Sequence, residues 1–153
     1  MRYLIAMICA FSFSCASFAV ASDVPAGSVK TFKGMASIVR QGSIVSAKSG
    51  EKIFKGDILR TGADGSLGVI FKDDAVLSLG PNSELVIDDF LFSPAEGKLS
   101  FVTRMLKGTA AYLSGIIGKL APQSIRFETP VASVGIRGTR FLAKVEEVKE
   151  SVK

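Results

Sequence analysis

From about Lys33 to Val145 the chain alternates short apolar runs with Gly, Asp, Asn and Ser punctuation. Leu67, Val69 and Phe71 are separated by Gly68 and Ile70, and Leu99, Phe101, Thr103 and Met105 by Ser100, Val102 and Arg104. A period of two sends successive side chains to opposite faces, so both segments read as half-buried strands. Further strands are predicted at Met35-Ala36-Ser37-Ile38-Val39-Arg40, Ile44-Val45, Ile58-Leu59-Arg60-Thr61, Ala75-Val76-Leu77-Ser78-Leu79, Glu84-Leu85-Val86-Ile87 and Ile125-Arg126-Phe127-Glu128. Turn residues bound each of them, among them Gly62-Ala63-Asp64-Gly65, Lys72-Asp73-Asp74, Gly80-Pro81-Asn82-Ser83 and Ser93-Pro94-Ala95-Glu96-Gly97. Strands this short and this regularly punctuated predict a single all-β domain (sandwich, barrel or solenoid) rather than βαβ units. Residues 106–120 are ambiguous. Gly108, Gly115 and Gly118 weaken a helix there, leaving a strand at Thr109-Ala110-Ala111-Tyr112-Leu113 and a loop or helical turn at Ile116-Ile117-Gly118-Lys119-Leu120.

The stretch Thr129-Pro130-Val131-Ala132-Ser133-Val134-Gly135-Ile136-Arg137-Gly138-Thr139-Arg140-Phe141 organises the end of the chain. Pro130 biases Thr129 towards an extended conformation, so residues 131–136 read as a strand. An Arg-bearing turn or bulge and a second strand follow. Gly138 is expected to take φ > 0 or to allow close backbone approach, in which case Gly138→Val destabilises the fold. Arg137 has two readings: a guanidinium presented to a carboxylate, phosphate or backbone of a partner, or an internal fork that bonds turn carbonyls or Glu128. The internal fork is the preferred one, and on it Arg137→Ala costs stability.

Residues 1–21 carry a basic start at Arg2, an apolar run and small residues ending Ala19-Val20-Ala21. That layout is a secretory signal peptide with an A-x-A cleavage site, and the run is short for a membrane span. Cys9 and Cys15 are the only cysteines, both inside this segment, so no disulfide holds the remaining chain. A lipidated Cys15 is the rival reading, but Ser12-Phe13-Ser14 lack the aliphatic residue such a box begins with. Residues 22–32 read as a flexible lead-in, 33–145 as the β domain and 146–153 as a charged tail. No integral membrane segment is then expected after cleavage, and the location is periplasmic or secreted.

Without residues 1–21 the balance falls from 19 basic and 14 acidic residues to 18 and 14, or +4. The charge is spread without a basic stripe or interleaved aromatics, so nucleic acid is not an expected partner. There is no histidine. That removes His-based zinc sites, Ser-His-Asp triads and Cys-His dyads. Gly115-Ile116-Ile117-Gly118-Lys119 lacks the spacing and the hydroxyl residue of a P-loop. Asp73-Asp74 and Asp88-Asp89 lack a calcium loop's ladder of ligands and read as turn carboxylates in solvent. No catalytic residue, metal ligand or cofactor is expected.

Four pieces of the chain, in order and spacing, closely resemble the FecR domain family: Gly56-Asp57-Ile58-Leu59-Arg60-Thr61-Gly62, Phe71-Lys72-Asp73-Asp74-Ala75-Val76-Leu77-Ser78-Leu79, Asn82-Ser83-Glu84-Leu85, and Thr129-Pro130 with Arg137-Gly138-Thr139-Arg140-Phe141. Gly56, Asp57, Thr61, Gly62, Pro130, Gly135, Gly138 and Thr139 are the structural residues of this motif. The resemblance implies a periplasmic all-β domain of short strands, solenoid-like or sandwich, that works by contacting protein and has no catalytic residues. Members that regulate iron uptake add a cytoplasmic anti-sigma segment, a membrane helix and a module beyond the domain. With a signal peptide in front and nothing after Val145 but a tail, this chain is not expected to carry a signal across the inner membrane alone.

The expected function is therefore non-enzymatic binding of an envelope protein, possible in signalling or regulation, through a sheet edge, Arg137, or the patch of Phe90, Leu91 and Phe92. Two rivals stand beside it. One is an envelope component that self-associates through unpaired edge strands. The other is a carbohydrate-binding or carbohydrate-cleaving domain with acids converging in a groove.

Overall fold

The computed structural model describes residues 23–147 of the 153-residue chain; the leader and most of the charged tail lie outside the described residues. Twelve strands form one curled sheet, a half-barrel. They are β1 (Gly27–Lys33), β2 (Ala36–Arg40), β3 (Ser43–Ser46), β4 (Lys52–Ile53), β5 (Ile58–Thr61), β6 (Ser66–Phe71), β7 (Val76–Leu79), β8 (Glu84–Ser93), β9 (Lys98–Leu113), β10 (Ile125–Thr129), β11 (Ala132–Gly135) and β12 (Arg140–Val145), with one short helix, α1 (Ile116–Leu120), after β9. The order is β3-β2-β5-β8-β9-β7-β6-β1-β4, and β10 and β12 line the opposite flank of β9. Among the described residues only β9 and β10 run parallel.

The 16-residue strand β9 belongs to both halves of the sheet. Its first part pairs with β8 and β10, its second with β7 and β12. Phe101, Thr103 and Met105 are buried, and then Ala110 and Tyr112, so the inward parity changes between them. The change sits at a bulge where Glu84 faces Lys107 but Leu85 faces Met105, next to Gly108 at φ +94°. An extra residue on one strand redirects the chain and raises its twist, which turns one half of the sheet over the other. Both inner faces then close on a common core. A chain of ring contacts crosses it: Phe90 to Phe71 (5.4 Å), Phe71 to Phe101 (4.7 Å), Phe101 to Tyr112 (5.4 Å), Tyr112 to Phe141 (5.8 Å) and Phe141 to Phe127 (4.8 Å).

The alternation read in residues 67–71 and 99–105 is present in β6 and β9. Other expectations change. The lead-in over 22–32 is in large part β1, with Ala26 and Val29 buried and Ala26 N–H donating to Ile53 O at 2.7 Å. A bulge between Val29 and Thr31 interrupts the alternation, so no period of two marks the strand. Pro130 occupies the turn between β10 and β11 rather than opening a strand, and the Thr129 hydroxyl accepts from Ala132 N–H at 3.0 Å across it. The strand expected over 131–136 is the shorter β11, and β11 and β12 do not pair with each other. Residues 136–139 instead carry the chain from one half of the sheet to the other.

Gly138 does not have a positive φ, and a Cβ there would meet nothing within 4 Å. The constraint expected of it falls on Gly108, where φ is positive and a Cβ would lie 2.6 Å from Ser83 Cβ. Gly108→Val should therefore lose about 3 kcal/mol of unfolding free energy through backbone strain and overpacking. Gly138→Val should stay within about 0.5 kcal/mol of the parent. Urea unfolding of both variants checks this; equal losses would contradict it.

Candidate functional site

Two polar nodes hold the turns between strands. The first is Asp57, 1 % exposed. Gly56, at φ +86°, supplies the left-handed corner of the turn in which Asp57 N–H donates to Phe54 O at 3.2 Å. The Asp57 carboxylate then accepts from Phe54 N–H (2.9 Å) and from Arg40 Nε (2.9 Å) and Nη2 (2.8 Å). Arg40 also donates to Lys52 O at 2.7 Å and lies 4.5 Å from the centre of the Phe54 ring. One bidentate guanidinium thus ties β2 to the approach to β5. Arg40 has no local sequence signal, because its partner lies 17 residues away.

The second node is Thr61, Ser83 and Thr109. The Thr61 hydroxyl donates to Gly80 O at 2.6 Å and accepts from Ser83 N–H at 2.9 Å. The buried Ser83 hydroxyl accepts from Thr109 N–H at 3.0 Å. Gly62 N–H donates to Met35 O at 2.8 Å, and Asn82 N–H to Gly62 O at 3.0 Å. The residues Gly56, Asp57, Thr61 and Gly62 therefore fasten turns.

Phe90 and Phe92 pack against the core rather than forming an exposed patch; of the three, Leu91 faces out, 41 % exposed. A bulge at Asp88 shifts the register of β8 against β9 and reverses its inward parity, so Leu85 and Ile87 are followed inward by Phe90 and Phe92. Of the two acid pairs, Asp74 is an exposed turn carboxylate at φ +64°, as expected, but the other three acids are engaged. Asp88 accepts from Arg104 at 2.7 Å, and Asp89 from Lys55 and from the Ser100 hydroxyl, each at 2.7 Å. Asp73 is fully buried beneath α1 and accepts from Ala75 N–H (3.2 Å) and Ile117 N–H (3.3 Å). Burial pushes its carboxyl above the usual aspartate range, against the pull of those backbone N–H groups. Burial, and then the charge of Asp73, push the Tyr112 phenol up as well. No cluster of three potential metal ligands exists among the described residues.

Arg137 is exposed and makes no hydrogen bond or ion pair among the described residues, so the internal fork to Glu128 or turn carbonyls is not formed. Ile136, 7 % exposed, anchors the loop in the core, and Thr139 O accepts from Ser114 N–H at 2.8 Å. Arg137 thereby lines an open pocket of about 440 Å³ with Ser114, Lys119, Gln123 and Thr139. Pro130 and Gly135 lie outside that pocket. A second groove, of about 540 Å³, runs beside β3 and is lined by Phe32, Met35, Ile44 and Arg60. Among the described residues β3 pairs with β2 alone, and Met35 and Ile44 are 72 % and 73 % exposed. Sequence reading missed this groove, since its apolar residues come from three separate segments.

Asp57→Ala should cost about 3 kcal/mol of stability in urea unfolding, because it strands a guanidinium and the Phe54 N–H. Arg40→Lys should recover little, lacking the fork; a near-neutral Asp57→Ala would contradict the node. For Asp73, a folded pKa above the unfolded one means that the folded state binds the proton more tightly. Its contribution is fully present below the ordinary aspartate value of 3.8 and is lost as pH rises through the raised folded value. Measured from pH 3 to 8, the stability of Asp73→Asn relative to the parent should climb with pH; a flat or falling difference would contradict the assignment.

Among the described residues no helix is long and apolar enough to cross a membrane. Comparison with curated proteins and with solved structures returns no match. The family model described as FecR protein matches residues 57–153, from the Asp57 node through the Arg137 loop and β12. The chain is a member of the FecR protein family.

Proposed function

We propose that this FecR-family protein acts in envelope signalling or regulation, by binding an extended segment of another envelope protein at the β3 edge. The family is a regulatory one, generally non-enzymatic and associated with the envelope. The leader-like residues 1–21 support a periplasmic location. The observation that carries the reading is an edge strand against an apolar groove: among the described residues β3 pairs on one side only, and Phe32, Met35 and Ile44 line the groove beside it. Partner strands that add to such an edge gain affinity from main-chain bonds and specificity from alternate side chains in the groove. Arg40, Arg60, Lys55 and Arg104 hold Asp57, Glu84, Asp89 and Asp88, which supports a structural rather than catalytic use of those acids.

Self-association has its own supporting observation. Among the described residues β12 pairs with β9 alone, and Leu142 on it is 74 % exposed.

Photo-crosslinking in intact cells distinguishes the two. With probes at Ile44 and Leu142, a discrete heterologous adduct is expected at Ile44, abolished by the exposed Met35→Lys. Self-adducts at Leu142, with none at Ile44, would overturn the edge-binding reading in favour of assembly.

A further inference from the structure

We propose that the pocket under the Arg137 loop binds an anionic sugar, either a sugar acid or a sugar phosphate. The pocket lies where the chain crosses between the two halves of the sheet. One wall is Ser114 and Lys119, another is Gln123, and the third is the loop of Arg137, Gly138 and Thr139. At about 440 Å³ it falls within the size range of small-ligand clefts. Its walls are tied before any ligand arrives, through the bond from Ser114 N–H to Thr139 O and the buried Ile136.

The charge of the lining is one-sided. Arg137 and Lys119 both line the pocket, and among the described residues no carboxylate does. Among the described residues neither cation has an ion pair, although Arg40, Arg60 and Arg104 each hold an acid on the same molecule. A guanidinium with unused donors suits the planar or trigonal oxygens of a carboxylate or phosphate, and Lys119 adds a point charge. The remaining polar groups, the hydroxyls of Ser114 and Thr139 and the amide of Gln123, match the hydroxyls of a sugar ring rather than a bare ion. Gly138 leaves open space where a side chain would stand, which lets a ligand approach the loop backbone. The site is separate from the β3 groove, with no lining residue in common.

Amide chemical shifts of the full chain, titrated with galacturonate and with glucose 6-phosphate, test the assignment. Glucose and inorganic phosphate are the controls. Saturable shifts are expected at Gly118, Gly138 and Thr139 with both anionic sugars, weakening as salt is raised. Affinity should fall at least about tenfold in Arg137→Gln and in Gly138→Val, which fills the pocket. Unfolding curves matching the parent's would place those losses in binding, not folding. Absence of saturable shifts, equal affinity in both variants, or inorganic phosphate binding as tightly as the sugar phosphate would each overturn the proposal.

Discussion

The fold depends on one crossing. β9 cannot serve both halves of the sheet unless its inward face changes within two or three residues, and an L-amino acid with a side chain does not fit where that happens. At Gly108 the backbone takes φ +94° with Ser83 packed against the position of the missing Cβ. The Ser83 hydroxyl meets Thr109 N–H there, and Thr61 in turn holds Ser83 N–H, so three strands and two turns converge on one buried polar node. The bulge, the glycine and the hydroxyl network are parts of a single device. It lets Phe101 and Tyr112, on opposite sides of the crossing, stack in the same core.

Much of this was legible in residue order, for a physical reason. A strand with one face buried writes a period of two, and residues 67–71 and 99–105 carry it without interruption. The period hides wherever a bulge resets it. Asp88 resets it in β8 and makes Phe90 and Phe92 look like the end of an exposed run when they fill the core. In β1 a bulge and a single well-buried apolar side chain, Val29, leave nothing periodic to read. Long-range pairings are equally silent: Gly56-Asp57 stands out as a motif, but Arg40, which explains why the acid is buried, has no marker of its own. Glycine was read correctly in kind but not in place. The constraint attributed to Gly138 belongs to Gly108, one of three glycines noted only for weakening a helix.

The same separation applies to the surface. Residues that carry the family resemblance, Asp57, Thr61 and Gly62, fasten turns, and Thr61 and Gly62 also contribute to the lining of the groove beside β3. Arg137 differs: Ile136 and Thr139 fix its loop, and among the described residues the guanidinium has no partner and lines a pocket. The apolar groove beside β3 is assembled from Phe32, Met35 and Ile44, none of which stands out alone. Both proposed sites lie at the margins of the sheet, at an edge strand and at a crossover loop, while the interior closes the half-barrel.

Native-state hydrogen exchange along β9 tests the central claim, that the crossing at Gly108 welds both halves into one cooperative unit. Amides on either side of it, at Thr103 and Met105 and at Ala110 and Tyr112, should exchange only through global unfolding, with the same free energy as urea gives. A separate, lower-energy opening of Ala110 and Tyr112 would contradict it and make the two halves independent.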